Sequence, residues 1–446
     1  MYFKKTSFLV AGLQKSGFAS AKFLLDNDAK VYIYDRRKSE IVVENVQKLI
    51  SLGAIVIEDY LTDLICDVLV ISPGVPIDSD ICKFYKSNGK RIIGEMELAS
   101  LQVKTPIIAV TGTNGKTTTC NMIHKCLENA NISSVLAGNV GVPLVGEIEK
   151  VNESEVCVLE VSSYQLETTY LFCPHISVVL NITPDHLDRH YTMENYALVK
   201  SKIVIPLKES EFSVLNFDDE LVRDFSNVTK SKVIYFSKKE KVNGAYLNGE
   251  SVYFNGEELF KTNELSLKES HNIENALATV CVLKCLKVEN FIIKNTLCEF
   301  NGVKHRFEKV KTVNGVTFIN DSKSTNEASA IKAVESLNNK TVLIIGGADK
   351  GLNYSELMRS IKNSRQIKNT VITGECSAKM LSFAIDVGVE NVSVVKGFEN
   401  AVKTAYKLAT SGEDVLLSPA TSSFDEFKNF EERGEKFVEI VNLLDS

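Results

Sequence analysis

One run of eight residues constrains the fold of this chain more than any other segment. Residues 111–118 have the sequence Thr-Gly-Thr-Asn-Gly-Lys-Thr-Thr, and they lie between an apolar run at 107–111 that predicts a strand and a helical pattern that begins at Lys116. In such a loop, backbone N–H groups and the helix N-terminus bind phosphate oxygens, the lysine reaches the β and γ phosphates, and the hydroxyl after it holds Mg²⁺. Val110 stands where the general motif has a glycine. The run still predicts a nucleotide-binding α/β domain of the P-loop type.

Strand and helix patterns on both sides of this loop extend the α/β prediction to the whole chain. Short apolar runs alternate with helical patterns before residue 100 and again after Gly302, which is typical of parallel sheets in doubly wound domains. Between them, the Asn248-Gly249 pair predicts an antiparallel hairpin. A chain of 446 residues is too long for one core. We therefore predict an N-terminal Rossmann-like domain at 1–99, a central P-loop ATPase-type domain at 100–301 and a C-terminal Rossmann-like domain at 302–446.

Composition and charge exclude several classes of protein. Hydrophobic residues make up 44% of the chain and charged residues 24%, which is the balance of a soluble globular protein rather than a disordered one. The net charge of −6 argues against non-specific binding of nucleic acid. No apolar stretch of the sequence is long enough to span a bilayer, and none of the ten cysteines forms a CxxC pair. We expect reduced thiols, no nucleic-acid or membrane partner and a cytoplasmic location.

A glycine-containing turn near the N-terminus suggests a second ligand site. The segment Gly12–Gly17 follows the first predicted strand, and Asp35 stands at the end of the second. An acid in that place accepts hydrogen bonds from a ribose or a base, but Gln14 stands where a dinucleotide fingerprint has its middle glycine. The residues alone leave three interpretations, which are a UDP-like sugar nucleotide, NAD and a purely structural turn. We favour the sugar nucleotide.

Two further segments place polar side chains where predicted strands end. Glu160 ends a buried strand, and a carboxylate there suits the Mg²⁺ of a bound nucleotide. The alternative is an ordinary strand-end acid. His186 and His190 are four residues apart, but no glutamate follows His186 as in the HExxH motif of zinc proteases. For this segment the alternative to a site is a helix cap with salt bridges.

Taken together, these motifs resemble those of the Mur ligase family. The resemblance rests on segments that occur in order along nearly the whole chain: Gly112–Thr117, Glu160 with Ser162-Ser163, Asn181–His190, His271-Asn272 with Asn275, and Gly302 with His305-Arg306. It implies a three-domain, ATP-dependent amide ligase of bacterial peptidoglycan synthesis. Within the family, four segments are most similar to the member that adds D-glutamate to UDP-N-acetylmuramoyl-L-alanine: Gly12–Gly17, Val161–Leu166, Asn320–Asn326 and Leu417–Phe430.

The resemblance implies which residues bind ATP. In the central domain these are Gly112, Thr113, Asn114, Gly115, Lys116, Thr117 and Thr118 for the phosphates, and Asn272 and Asn275 for the adenine. From the third domain, the residues implied to contact ATP are Arg306, Asp321 and Lys323.

The resemblance also implies two Mg²⁺ sites. Thr117 and Glu160 would hold the first ion, and His186 and a carbamylated Lys200 the second. Lys202 lies two residues further on and is the alternative to Lys200. The implied catalytic residues are Lys116, His186 and Lys200.

Two other substrates are implied by the resemblance. The residues implied to bind UDP-N-acetylmuramoyl-L-alanine are Asp35, Asn139, Ser162 and Gln165. The residues implied to bind D-glutamate are Thr325, Lys350, Ser423, Phe424 and Phe430. Because these sets lie in different domains, we expect ATP and glutamate to meet only when the domains close.

Other functions compete with this interpretation. A related ATP-dependent ligase, either another Mur ligase or one similar to folylpolyglutamate synthase, would use a different acceptor. A catalytically silent sugar-nucleotide-binding protein would not need the intact Lys116, Glu160, His186 and Lys200. A Rossmann dehydrogenase would leave the phosphate loop unexplained. We predict a bacterial, monomeric ligase.

Overall fold

Three sheets, each packed against helices, form the fold. The computed structural model describes residues 3–37, 39–59, 66–139, 141–349 and 353–444. The chain separates into two compact units, residues 1–300 with the first two sheets and residues 301–446 with the third. The predicted three-domain α/β fold is confirmed, whereas the three domain boundaries remain predictions.

The first sheet is parallel and begins the chain. Its strands have the order β3-β2-β1-β4-β5, and their bounds are β1 Ser7–Ala11, β2 Lys30–Tyr34, β3 Ile55–Val56, β4 Val68–Ile71 and β5 Arg91–Gly94. The helices are α1 Lys15–Asp26, α2 Glu40–Ser51, α3 Asp80–Ser87 and α4 Glu95–Ser100, with a 3₁₀ turn at Phe3–Lys5. Phe8, Leu9 and Val10 are all fully buried, as expected for a strand covered on both faces.

The second sheet has nine strands in the order β14-β13-β12-β11-β10-β9-β6-β8-β7. Their bounds are β6 Ile107–Thr111, β7 Ser134–Gly138, β8 Val156–Glu160, β9 Ile176–Val179, β10 Phe212–Asn216, β11 Lys232–Ser237, β12 Gly244–Asn248, β13 Ser251–Phe254 and β14 Glu257–Lys261. The strands from β7 to β12 pair in parallel. The Asn248-Gly249 turn joins β12 and β13 as an antiparallel hairpin, which confirms that prediction.

Helices and 3₁₀ turns complete the first unit. The helices are α5 Lys116–Asn129, α6 Ile148–Asn152, α7 Ser163–Leu166, α8 Leu187–His190, α9 Met193–Ser201, α10 Glu220–Arg223, α11 Ser270–Cys285 and α12 Asn290–Glu299. The 3₁₀ turns are Leu144–Gly146, Asp224–Asn227 and Thr262–Glu264. One apolar cluster includes Val10 of the first sheet, Ala109 of the second and Leu144 between them. This shared core explains why the first two sheets belong to one unit.

The third sheet has the order β15-β16-β20-β17-β18-β19. Its strands are β15 Glu308–Val313, β16 Val316–Asn320, β17 Thr341–Gly346, β18 Ile367–Thr373, β19 Val392–Val394 and β20 Asp414–Leu417. Its helices are α13 Glu327–Glu335, α14 Ser355–Asn363, α15 Ser377–Val387, α16 Phe398–Leu408 and α17 Phe430–Leu443. Only the pair β15 and β16, joined at Asn314-Gly315, is antiparallel among the described strand pairs of this sheet.

All ten cysteines are free, and most are buried, as predicted for reduced thiols. Within the described part of the chain, no helix has the length and apolar character needed to cross a membrane.

Candidate active site

The predicted phosphate loop connects β6 to α5. Lys116 begins the helix, and its Nζ donates to the carbonyl oxygens of Gly112 and Thr113, both at 2.8 Å. Gly115 has φ +85°, and a Cβ there would lie 2.3 Å from Asn275 Oδ1. Only glycine therefore fits this position, and the loop lies directly against one of the two asparagines predicted to bind adenine.

A second strand holds the loop in place. The Asn114 N–H donates to Asn181 Oδ1 at 2.8 Å, and Asn181 Nδ2 donates back to the Asn114 carbonyl at 3.3 Å. The Thr113 N–H donates to the Asn181 carbonyl at 2.9 Å. Asn181 follows β9, which is the sheet neighbour of β6. The loop after β6 is thus fastened to the segment that follows β9.

A hydroxyl and a carboxylate meet at the first turn of α5. Thr117 Oγ1 donates to Glu160 Oε2 at 2.7 Å, and Asn139 Nδ2 donates to Glu160 Oε1 at 2.9 Å. Glu160 is 2% exposed and ends β8, the other neighbour of β6. The contact arises because parallel strands present their carboxyl ends at one edge of the sheet. Three residues from distant parts of the sequence, each predicted for the site, are therefore in contact.

Lys200 reaches the same loop from α9. Its side chain is 1% exposed, and its Nζ donates to the Gly112 carbonyl at 3.0 Å and to Thr111 Oγ1 at 3.3 Å. The Nζ also lies 4.8 Å from the centre of the Tyr196 ring. Burial, together with the nearby Lys116 ammonium, lowers the pKa of Lys200 well below its ordinary value. The neutral amine of Lys200 is therefore easier to reach than that of an exposed lysine.

Lys202 has different surroundings. Its Nζ donates to the Glu167 carbonyl oxygen at 2.7 Å and makes no described contact with the phosphate loop. Burial lowers the pKa of Lys202 as well, against the Glu167 and Glu97 carboxylates, which raise it. Of the two lysines, Lys200 is the one that contacts the loop.

The two histidines of the segment 181–190 have different surroundings. His186 has φ +53° and is 44% exposed at its side chain, and its Nδ1 lies 3.0 Å from the Tyr164 hydroxyl. His190 is buried, with Nε2 3.0 Å from Ser163 Oγ. Burial lowers the pKa of His190 despite the Glu167 carboxylate. His186 is therefore available to a ligand, and His190 is a packed core group.

Sequence reasoning missed a largely buried ion pair beside these histidines. Arg189 donates to both oxygens of Glu167, at 3.0 Å from Nε and 2.5 Å from Nη2. The same Nη2 donates to the Val75 carbonyl at 3.1 Å. This arginine thereby connects the segment after β9 to the loop after β4. Arg189 lies in the segment 181–190, but nothing in the local sequence identifies Glu167 as its partner.

The predicted adenine residues lie near the phosphate loop. Asn275 Nδ2 donates to Asn272 Oδ1 at 3.3 Å, and Thr119 Oγ1 donates to Asn275 Oδ1 at 3.2 Å. Both asparagines are buried on α11. The remaining loop residue, Thr118, lies in the first turn of α5.

The Asp35 carboxylate is hydrogen-bonded to the glycine turn. Its Oδ2 accepts the Leu13 N–H at 2.7 Å, and its Oδ1 accepts the Arg37 N–H at 2.9 Å. Burial raises the pKa of Asp35, but these hydrogen bonds outweigh it and hold the pKa below its ordinary value. A Cβ on Gly17 would lie 1.7 Å from the Gly12 carbonyl oxygen, so the turn requires glycine there.

Ser162 and Gln165 form a capping box at the start of α7. The Ser162 side chain accepts the Gln165 N–H, and Gln165 Oε1 accepts the Ser162 N–H at 2.9 Å. Their side chains are thus placed by the helix start. Gln165 is 4% exposed.

In the second unit, two of the predicted nucleotide residues, Asp321 and Lys323, follow β16, and the third, Arg306, precedes β15. Asp321 is buried, and its Oδ2 accepts hydroxyl groups of Ser324 at 2.5 Å and Ser418 at 2.9 Å. Burial raises the pKa of Asp321 against these hydrogen bonds. Arg306 is exposed, and Lys323 Nζ lies 5.7 Å from the centre of the Phe430 ring.

The predicted glutamate residues follow β16 and β20 and begin α17. Thr325 is half-buried, Ser423 is buried, Phe424 is 64% exposed, and the Phe430 carbonyl accepts Ser322 Oγ at 2.8 Å. Lys350 lies outside the residues that the structure describes.

The oxygen donors at the phosphate loop suit an Mg²⁺ ion that is bound together with a nucleotide, rather than a metal ion held only by protein side chains. In the described residues, no group of three or more His, Cys, Asp or Glu side chains is arranged to hold a metal ion. A hydroxyl and a carboxylate at a phosphate loop are nevertheless the oxygen donors that Mg²⁺ takes together with phosphate and water. The residues present therefore fit Mg²⁺ bound with a nucleotide.

Three domain profiles of known families match the chain. They are described as Mur ligase MurD-like, N-terminal domain, at residues 6–94, Mur ligase middle domain at 110–283, and Mur ligase, glutamate ligase domain, at 305–421. Together they cover most of the chain and follow the order of the three sheets.

Similar proteins match over the full length. The UDP-N-acetylmuramoylalanine--D-glutamate ligase of Thermoanaerobacter sp. (strain X514) is 40% identical over 456 residues, with 100% of both chains covered. The ligase of the same name from Clostridioides difficile (strain 630) is 38% identical, again with 100% of both covered. A crystal structure of UDP-N-acetylmuramate-alanine ligase from Thermotoga maritima has the same fold, with a TM-score of 0.54, 20% identity, and 98% of this chain and 99% of that chain covered.

Proposed function

This chain belongs to the Mur ligase family, and on that premise we propose that it is the ATP-dependent ligase that joins D-glutamate to UDP-N-acetylmuramoyl-L-alanine in peptidoglycan precursor synthesis. The names of full-length relatives that are 38–40% identical support this activity. The structural observation that carries the proposal is the group Lys116, Thr117 and Glu160 at one phosphate loop. It joins a cation, a hydroxyl and a carboxylate, which is the chemistry that ATP-driven phosphoryl transfer needs.

The reaction has two steps. In the first, a carboxylate oxygen of the alanyl group forms a bond to the γ phosphorus of ATP, and the bond from that phosphorus to the bridging oxygen breaks to leave ADP. In the second, the neutral amine of D-glutamate forms the amide bond at the acyl carbon, inorganic phosphate leaves, and the amine loses a proton. The first step brings two anions together, so a fixed cation at Lys116 lowers the barrier.

Two Mg²⁺ ions are part of the proposal. Thr117 and Glu160 would hold the first, and His186 and a carbamate on Lys200 the second. When bound, these ions offset negative charge on the reacting oxygens.

Lys200 is proposed as the carbamylated residue. The neutral amine forms a bond to the carbon of CO₂ and loses a proton, which leaves an anionic oxygen ligand. The burial of Lys200, its contact with the Gly112 carbonyl and its lowered pKa support this assignment over Lys202.

The other substrates are assigned to the predicted residues. Asp35 and the glycine turn would bind the uridine diphosphate, and Asn139, Ser162 and Gln165 the muramoyl peptide. The residues proposed for D-glutamate are Thr325, Lys350, Ser423, Phe424 and Phe430. We also propose that the enzyme is a monomer in the bacterial cytoplasm, where ATP and sugar nucleotides are found.

A phosphate-release assay tests the function. Purified protein is incubated with ATP, Mg²⁺ and UDP-N-acetylmuramoyl-L-alanine, and D-glutamate is compared with L-glutamate, D-aspartate and L-alanine. D-Glutamate should give the highest kcat/KM, and mass spectrometry should find a product heavier by one glutamyl residue. A higher kcat/KM with another amino acid would replace the substrate assignment. No phosphate release with any of them would favour a silent binding protein.

A further inference from the structure

Arg433 is a buried guanidinium in the second unit that none of the proposed steps uses. It lies on α17 and is 2% exposed, on the same helix face as the fully buried Phe437 and Val441. A charge in such a place is costly unless it is paired. We therefore expect a buried arginine on an apolar helix face to have a specific role.

The partners of Arg433 are neutral. Its Nε donates to Ser322 Oγ at 3.0 Å, and its Nη2 donates to the carbonyl oxygens of Ser322 at 2.9 Å and Thr421 at 3.1 Å. Its Nη1 is buried and has no hydrogen-bond partner among the residues that the structure describes. Asp425 is the carboxylate whose charge favours the guanidinium, but no described carboxylate forms a salt bridge with it.

The charge of Arg433 persists at neutral pH. Burial lowers the pKa of Arg433 to about 10, against the Asp425 carboxylate, which raises it. The group is therefore still protonated where the enzyme works. The second unit thus contains a buried positive charge that no ion pair with a described carboxylate neutralises.

The hydrogen bonds of Arg433 join the segments that carry the predicted amino-acid site. Ser322 follows β16, and Thr421 follows the neighbouring parallel strand β20. Ser322 Oγ in turn donates to the Phe430 carbonyl at 2.8 Å. A Cβ on Gly347, which follows β17, would lie 3.1 Å from Arg433 Nη1. The guanidinium therefore lies beneath the carboxyl ends of three adjacent strands, where open α/β sheets bind ligands.

We propose that Arg433 is the positioning residue of the amino-acid site and that its charge makes this site selective for an acidic amino acid. Through Ser322 and Thr421 it fixes the spacing of the segments that carry Thr325 and Ser423. D-Glutamate brings two carboxylates to the site, and its amine must be neutral to attack. The bound nucleophile is therefore a dianion, which a nearby buried cation stabilises in a medium of low dielectric constant. This inference rests on the proposed function, and it adds a residue that acts through others.

Steady-state kinetics of the full-length chain test the inference. The variants are Arg433→Met, Arg433→Lys and the control Phe437→Leu, which alters packing one turn further along α17 without changing charge. Arg433→Met should raise KM for D-glutamate about tenfold or more, raise KM for ATP by a smaller factor because Asp321 and Lys323 flank Ser322, and leave KM for the sugar nucleotide within about twofold. Arg433→Lys keeps the charge but not the planar set of donors, so it should raise KM for D-glutamate less. Phe437→Leu should show no such selectivity.

The outcomes separate this inference from the proposed function. An unchanged KM for D-glutamate, or equal rises for all three substrates, would overturn the role of Arg433. If Arg433→Met does not fold, as judged by circular dichroism, Arg433→Lys decides the question by the same comparison. If the wild type prefers another acidic amino acid, the substrate assignment fails but the KM pattern with that acid still tests Arg433. Preference for an uncharged amino acid would overturn both.

Discussion

Glu95 is a buried carboxyl group whose replacement by glutamine should change the pH dependence of stability. It begins α4 and is 2% exposed, and its Oε1 accepts the Val145 N–H at 2.7 Å. Burial raises the pKa of Glu95 from its ordinary value of 4.5 to about 7, although the Val145 N–H and the Gln165 side chain lower it. Between about pH 4.5 and pH 7, Glu95 is therefore protonated in a larger fraction of the folded molecules than of the unfolded ones.

The size and sign of the effect follow from this shift in pKa. Each pKa unit corresponds to about 1.4 kcal/mol, so a rise from 4.5 to about 7 corresponds to roughly 3 kcal/mol. Below the unfolded pKa both states are protonated and there is no penalty. As the pH rises from 4.5 through 7, the folded state binds more protons than the unfolded state, and the free energy of unfolding falls. Glu95→Gln removes this loss and keeps an acceptor for the Val145 N–H.

Urea unfolding of wild type and Glu95→Gln, measured by circular dichroism from about pH 5 to pH 8, checks this reasoning. The variant should gain stability relative to wild type as the pH rises, by up to roughly 3 kcal/mol above pH 7. Glu97→Gln is the matched control, because the Glu97 carboxylate accepts the N–H groups of Tyr170, Leu171 and Phe172 at 3.2, 2.9 and 3.1 Å. Replacing the Glu97 carboxylate by an uncharged amide should destabilise the protein, because these three hydrogen bonds become weaker. A difference between Glu95→Gln and wild type that is constant across this pH range would refute the argument.

Three further outcomes are expected. Lys116→Ala should lower kcat about 10³-fold or more while thermal unfolding stays near that of wild type, because it removes a cation beside the transferred phosphoryl group; near-normal turnover would exclude the loop from the reaction. Lys200→Ala should lose most activity and recover part of it when a short-chain carboxylate is added, whereas Lys202→Ala should show no such rescue; the reverse pattern would assign the carbamate to Lys202. Asp35→Asn should raise KM for the sugar nucleotide but not for ATP, and calorimetry of the wild type should detect UDP and not NAD; tight binding of NAD would contradict this assignment.

Local patterns predict the alternation of strands and helices, the phosphate loop and the Asn248-Gly249 hairpin well. The loop is identified because strand, glycines, Lys116 and helix are contiguous. Glu160 is predictable for a related reason: a residue at the carboxyl end of a buried strand must lie at the ligand-binding edge of a parallel sheet. The same rule explains why it contacts Thr117, although the two residues are 43 positions apart.

Other features of the site depend on packing that no local pattern encodes. Arg189 and Glu167 are 22 residues apart, and Arg433 and Ser322 are 111 apart. A signal for Arg433 does exist, because it shares the apolar face of α17 with Phe437, and a charged residue on such a face is unusual. Its partners become known only when the order of strands in the third sheet is known. The burial that shifts the pKa of Lys200 likewise comes from tertiary packing.

The paired hydrogen bonds between Asn114 and Asn181 have a consequence for the thermodynamics of nucleotide binding. They fasten the loop after β6 to the segment after β9, so much of the loop's conformational entropy is lost when the domain folds and not when a ligand arrives. A loop ordered only by its ligand would bind with a large unfavourable entropy. Replacing Asn181 should therefore weaken nucleotide affinity through the entropy of binding, with little change in the phosphate contacts themselves.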